Sequence, residues 1–181
     1  EGPWSLSYRD PATGSECTIP AQVPGNVVGD LQRAGRIPDP YFGCNSDLLR
    51  PYEFIDWEYR TTFPAPVLRD RERLELVFEG IDTVAEIFVN GESIGRADNM
   101  VIAHRFSVNP ALLRKEGNEL LVRIQSSVNH ARSFVRPAYA HAGSCCYEGL
   151  YLRRPMHSYG WDIAPRIVGA GLWRKGYFEV L

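Results

Sequence analysis

The chain has 181 residues, is 44% hydrophobic and 23% charged, and carries a formal net charge of −2. This is the composition of a globular protein, and the near-balanced charge argues against nucleic acid or an anionic membrane as partner. No apolar run approaches the roughly 20 residues that span a bilayer.

From the N-terminus, Trp4-Ser-Leu-Ser-Tyr8 alternates with period two and predicts a half-buried strand, followed by a turn at Asp10–Gly14. Val23-Pro-Gly-Asn26 ends an extended piece. Asn26 then caps a short helix to Ala34, with Val27, Val28 and Leu31 as its buried stripe and Gly35 as its stop. Ile37–Gly43 is irregular, because two prolines and a glycine break any ladder.

Trp57–Phe63 predicts a strand with Trp57, Tyr59, Thr61 and Phe63 on one face, and Arg73–Phe78 a second. Ala85–Val89 and Glu92–Ile94 read as a hairpin across Asn90-Gly91, since both turn residues tolerate positive φ; the pair is read as a turn and nothing more. His104–Val108, Glu119–Gln125 and Gly176–Leu181 complete the strands, with one helical turn at Asn109–Arg114. Asn129–Tyr139 is ambiguous. Many short strands and few short helices predict an all-β fold, an antiparallel β-sandwich, as one domain over residues 1–181.

The four cysteines, at 17, 44, 145 and 146, have no zinc spacing. They are read as free buried thiols, with a bridge from Cys17 or Cys44 to Cys145 or Cys146 left open. His104, His130 and His141 have no metal-ligand spacing, so no metal and no cofactor is expected.

One stretch stands apart. Arg154–Arg174 holds two Trp, a Tyr, a His, an Asp and three Arg among glycines. Aromatic faces beside Asp and Arg suit a sugar, whose C–H faces stack on rings while its hydroxyls take polar partners. Trp161 is read as a stacking wall or as core, and Asp162 as a hydroxyl acceptor or as the partner of Arg154, Arg166 or Arg174. His157 either touches ligand or fixes the loop. Trp4, Trp57 and Trp173 are read as core, and Asn45-Ser-Asp47 as an irregular loop. Retaining glycoside hydrolysis needs two carboxyl groups about 5–5.5 Å apart. Glu75, Glu79, Glu86 and Glu119 read as outward strand residues, and Glu148 with Asp162 makes a weak dyad.

Val23-Pro-Gly, Trp57–Phe63, Phe78-Glu-Gly-Ile-Asp-Thr-Val-Ala-Glu-Ile-Phe-Val-Asn-Gly91, Gly117-Asn-Glu-Leu, Gly160-Trp-Asp-x-x-Pro-Arg166 and Gly171-Leu-Trp-Arg174 resemble, in order, the N-terminal sugar-binding domain of glycoside hydrolase family 2. The wording is most like that of β-mannosidases. The resemblance implies a galactose-binding-like jelly roll and a non-catalytic role. The downstream immunoglobulin-like domain and TIM barrel, with its two catalytic glutamates, do not fit within these residues. It implies a secreted or periplasmic retaining exo-β-glycosidase as parent, with a terminal β-linked sugar, a mannoside, as substrate. β-Galactosidase and β-glucuronidase share the domain type, and a self-sufficient carbohydrate-binding module or a purely structural packing module is the alternative. Trp161 and Asp162 match the family's sugar-contacting pair, and Arg166 matches an arginine that holds the loop. Ile163-Ala164 departs from the Trp-Gly commonly found there. For the irregular Asn45-Ser-Asp47 loop, an approach to the barrel mouth is the lesser alternative.

Overall fold

The computed structural model describes residues 2–138 and 147–181. The strands are β1 (Trp4–Arg9), β2 (Glu16–Ala21), β3 (Trp57–Phe63), β4 (Leu74–Phe78), β5 (Ala85–Val89), β6 (Glu92–Ala97), β7 (His104–Val108), β8 (Asn118–Ile124) and β9 (Gly176–Val180). Two helices, α1 (Val27–Arg33) and α2 (Ser127–Arg132), and several 3₁₀ segments connect them.

The strands form two antiparallel sheets, one in the order β2-β1-β3-β8-β5-β6 and one in the order β7-β4-β9. Alternation in the sequence decides which side chains meet between them. Leu6 and Tyr8 of β1, and Trp57, Tyr59 and Phe63 of β3, point into one core with Leu74, Leu76 and Phe78 of β4 and Phe106 and Val108 of β7. Phe63 packs on Phe178 of β9 with ring centroids 4.5 Å apart, which ties the sheets together. Each such fully buried aliphatic or aromatic chain contributes about 1.5–3 kcal/mol relative to exposure. The all-β sandwich expected from the sequence is therefore the observed architecture.

Several expectations need correction. β2 is a full strand, where the sequence indicated only an extended piece. In α1 the Asn26 cap forms as expected, its side chain accepting from the Gly29 amide, but Val28 is only half-buried and Asp30 takes the buried place. Asp30 survives there because it accepts from the Tyr59 hydroxyl at 3.2 Å and the Gln22 amide at 2.9 Å, and pairs with Arg33. Asn90 is more than a turn residue. Its amide donates to the Leu112 carbonyl at 2.7 Å and to Asn118 Oδ1 at 2.9 Å, and its oxygen accepts from the Glu119 amide at 2.9 Å. Trp57 is core, whereas Trp4 is half-buried at its margin and Trp173 is half-buried, its ring N–H donating to the Met100 carbonyl at 3.1 Å. Cys17 is half-buried against the core and Cys44 is exposed, so neither is a fully buried thiol. Cys145, Cys146, His141 and Tyr139 lie outside the described residues.

A second, smaller cluster positions the aromatic stretch. Val128 and Ala131 of α2 pack with Leu152 and Tyr159, flanked by Val84, Tyr151 and Val168. The α2 helix begins just before the region the sequence left ambiguous, Asn129–Tyr139, and occupies its first four residues. Its cap, Ser126, accepts from the Asn129 amide at 3.0 Å and donates to the Glu53 carbonyl at 2.6 Å. Asn129 Nδ2 donates to the Phe54 carbonyl at 2.8 Å and the Ser126 amide to Asp56 at 2.8 Å. These bonds fasten the end of the 3₁₀ stretch Asn45–Phe54 to the start of α2, and so fix Glu53.

Candidate functional site

The 3₁₀ segment Met156–Tyr159 ends where the Gly160 amide donates to the His157 carbonyl at 3.0 Å. Gly160 has φ +106° and ψ 153°, a conformation that side chains rarely adopt. The chain then doubles back: Trp161 and Ala164 exchange two backbone hydrogen bonds of 3.1 Å each. Asp162 and Ile163 occupy the tip of this turn.

Every apolar side chain at the tip faces outward. Trp161 is 55% exposed and Ile163 94%. That decides between the two readings of Trp161 in favour of an open ring face over core. Met156, His157, Trp161, Ile163 and Ala164 line an open hollow of about 430 Å³. The His157 side chain is exposed beside it, and among the described residues it is the His157 carbonyl that takes part in fixing the loop.

The three arginines offered as partners for Asp162 are engaged elsewhere. Arg154 is buried, with Nη2 3.2 Å from Asp82 Oδ2 and Nη1 donating to Ser127 Oγ at 3.3 Å and the Gly169 carbonyl at 3.2 Å. Arg166 Nε and Nη2 donate to Glu53 Oε1 at 3.0 Å and Oε2 at 2.7 Å, and Nη2 also donates to Glu148 Oε1 at 2.8 Å. Arg174 lies over the Trp173 ring, 4.3 Å from its centroid. Asp162 is exposed and has no ion pair among the described residues.

Electrostatics separate a rigid base from an open tip. Burial opposes the Arg166 charge, but its hydrogen bonds to the Glu53 and Glu148 carboxylates outweigh it and raise the guanidinium pKa. Burial pushes the Asp82 carboxyl up, against Arg154 and Thr83. Both guanidiniums lie over Tyr159, Arg154 at 5.1 Å and Arg166 at 5.5 Å from its centroid. Glu148 is buried, with one of its oxygens held by Arg166 beneath the surface, whereas Asp162 is exposed. Glu75, Glu86 and Glu119 form surface ion pairs with Arg105, Arg96 and Arg60. Asn45-Ser-Asp47 begins the 3₁₀ stretch whose far end supplies Glu53. Sequence reasoning picked out Trp161, Asp162, His157 and Arg166, but it missed Glu53.

An antiparallel sandwich carrying an outward Trp-Asp turn is matched over residues 4–174 by the family described as glycosyl hydrolase 2 galactose-binding domain-like. The chain belongs to this family. It is 35% identical over 164 residues to β-mannosidase B of Thermothelomyces thermophilus, covering 88% of this chain and 19% of that protein. It is 33% identical over 190 residues to β-mannosidase of Rattus norvegicus, covering 98% of this chain and 21% of the relative. Among solved structures, β-D-mannosidase from Dictyoglomus thermophilum superposes with a TM-score of 0.84 at 34% identity, over 100% of this chain and 22% of that one. The chain thus spans about a fifth of the length of the relatives it matches. For the galactose-binding-like fold and the β-mannosidase likeness, the comparisons agree with the sequence.

Proposed function

We propose that this domain is the non-catalytic partner of a retaining exo-β-glycosidase acting on β-mannosides, and that it lends the Trp161–Ala164 turn to the sugar site. The bond-breaking carboxylates would then sit on a barrel elsewhere in a longer parent, beyond an immunoglobulin-like domain. The reading rests on one observation: Asp162 stands exposed and without an ion pair among the described residues, beside an open Trp161 face, on a base locked by buried ions. A carboxylate so presented accepts hydrogen bonds from ring hydroxyls while the indole covers a C–H face. A sugar lacking the matching hydroxyl would leave that acid unpaired and be discriminated against. The names of the β-mannosidase relatives favour mannose as the sugar.

Kinetics on the full-length parent test this. Asp162→Asn and Trp161→Ala should each lower kcat/KM for an aryl β-mannoside by at least about tenfold, roughly 1.4 kcal/mol of transition-state stabilisation. Unchanged kcat/KM in both variants would sink the reading and leave a packing module. Calorimetry of the 181-residue chain with mannose and mannobiose should show little heat. A strong signal abolished by Trp161→Ala would mark a self-sufficient binding module instead.

A further inference from the structure

The Trp161–Ala164 turn stands on two feet, and they meet at one side chain. A Cβ on Gly160 would come 3.2 Å from Arg166 Cβ, so the backbone before the turn rests directly on the arginine after it. The Arg166 guanidinium is in turn gripped by acids from two distant segments. Glu53 takes Nε and Nη2, and Glu148, in the 3₁₀ segment Tyr147–Leu150, takes Nη2. Their side chains are 4% and 3% exposed.

Burying ions in this way is a poor route to stability, since desolvation costs several kcal/mol per ion and well-packed apolar groups often do as well. What the ionic set does supply is direction. A guanidinium held by both oxygens of a carboxylate is fixed in plane and rotation as well as in distance. Apolar packing would hold the same stem while leaving it free to rock. The tip above depends on that direction, because Asp162 carries the polar contact with no ion pair of its own among the described residues.

We infer that Glu53 and Glu148 are positioning residues: acting through Arg166, they aim the Asp162 carboxylate at the sugar. The inference rests on the reading of Asp162 given above. Glu53 carries the larger share, since it holds two N–H groups where Glu148 holds one. Arg50 is the built-in control. It reaches Glu53 Oε1 at 3.1 Å from a side chain 52% exposed, and its loss leaves the grip on Arg166 in place.

The test is kcat/KM for an aryl β-mannoside in the full-length protein, with Glu53→Gln, Glu148→Gln and Arg50→Ala, each alone and combined with Asp162→Asn. Glu53→Gln should cost about tenfold, Glu148→Gln about threefold and Arg50→Ala less than about twofold. With Asp162→Asn already present, the two glutamate changes should cost less than about twofold, because the group they aim is gone. If Glu53→Gln does not fold, as judged by circular dichroism, Glu148→Gln and Arg166→Lys carry the same comparison. Equal losses with and without Asp162→Asn would mark a general structural role and overturn the inference, as would no loss at all. If Asp162→Asn alone changes nothing, the reading of the site fails and the inference falls with it. If Asp162→Asn is damaging but the glutamates are not coupled to it, the inference alone falls.

Discussion

Replacing Arg166 by Met keeps a long apolar stem and removes the charge that two buried carboxylates share. Glu53 loses its contacts at 3.0 and 2.7 Å and Glu148 its contact at 2.8 Å. Removing one partner of a buried pair costs about 3–5 kcal/mol, because the other charge is left desolvated. Here two acids are stranded, although Glu53 keeps Arg50 at 3.1 Å. The loss should therefore sit near the top of that range, about 4–5 kcal/mol. At about 2–4 °C per kcal/mol for a chain of this size, Tm falls by roughly 8–20 °C. The triple change Arg166→Met, Glu53→Gln, Glu148→Gln removes all three charges with little change of shape and should return to within about 2 kcal/mol of the parent. Urea titration followed by far-ultraviolet circular dichroism measures both, with the m-value expected to stay constant. The reasoning is refuted if the single variant loses less than about 1 kcal/mol, or if the triple is no better than the single. Either result would show that stem packing, and not charge, supports the loop.

Gly160→Ala places a Cβ at φ +106° and 3.2 Å from Arg166 Cβ, and should cost about 1–3 kcal/mol by urea titration; a neutral result would mean the turn relaxes freely. Asn90→Ala strands the Glu119 amide and the Leu112 carbonyl and should cost about 1–3 kcal/mol, with the fastest added hydrogen exchange at the β5–β6 tip and the start of β8. Burial, reinforced by Asp30, raises the Tyr59 phenol well above its ordinary value, so the folded state keeps a proton that the unfolded chain releases above about pH 10. Stability should fall as pH rises past that point, and Tyr59→Phe should flatten the slope by about 1.4 kcal/mol per pH unit. At pH 7 the same change costs about 1.5–3 kcal/mol through the lost bond to Asp30. Equal slopes for the two proteins between pH 10 and 11 would contradict this.

Local physics made much of the fold legible. Trp57–Phe63 alternates in sequence because its inward residues fill the space between the sheets, and Asn90-Gly91 forms its hairpin because φ values of +51° and +88° suit those two residues. β2 was harder to see: Ile19 is its one buried residue, and Pro20 interrupts the pattern of an edge strand. Nothing local marks Asp30 as buried, since its partner Tyr59 lies 29 positions away. The site divides in the same way. Trp161 and Asp162 were found because their chemistry is unusual side by side. Glu53 was missed because nothing local marks a carboxylate whose partner is 113 residues downstream.

That separation also has a consequence on the ribosome. At about 5–20 residues per second, Glu53 is synthesised about 6–23 s before Arg166. Over that interval its carboxylate has a local companion, Arg50, three positions earlier in the same 3₁₀ stretch. Closing the base of the turn is therefore a long-range event that needs a residue synthesised after those of β3, β8 and α2.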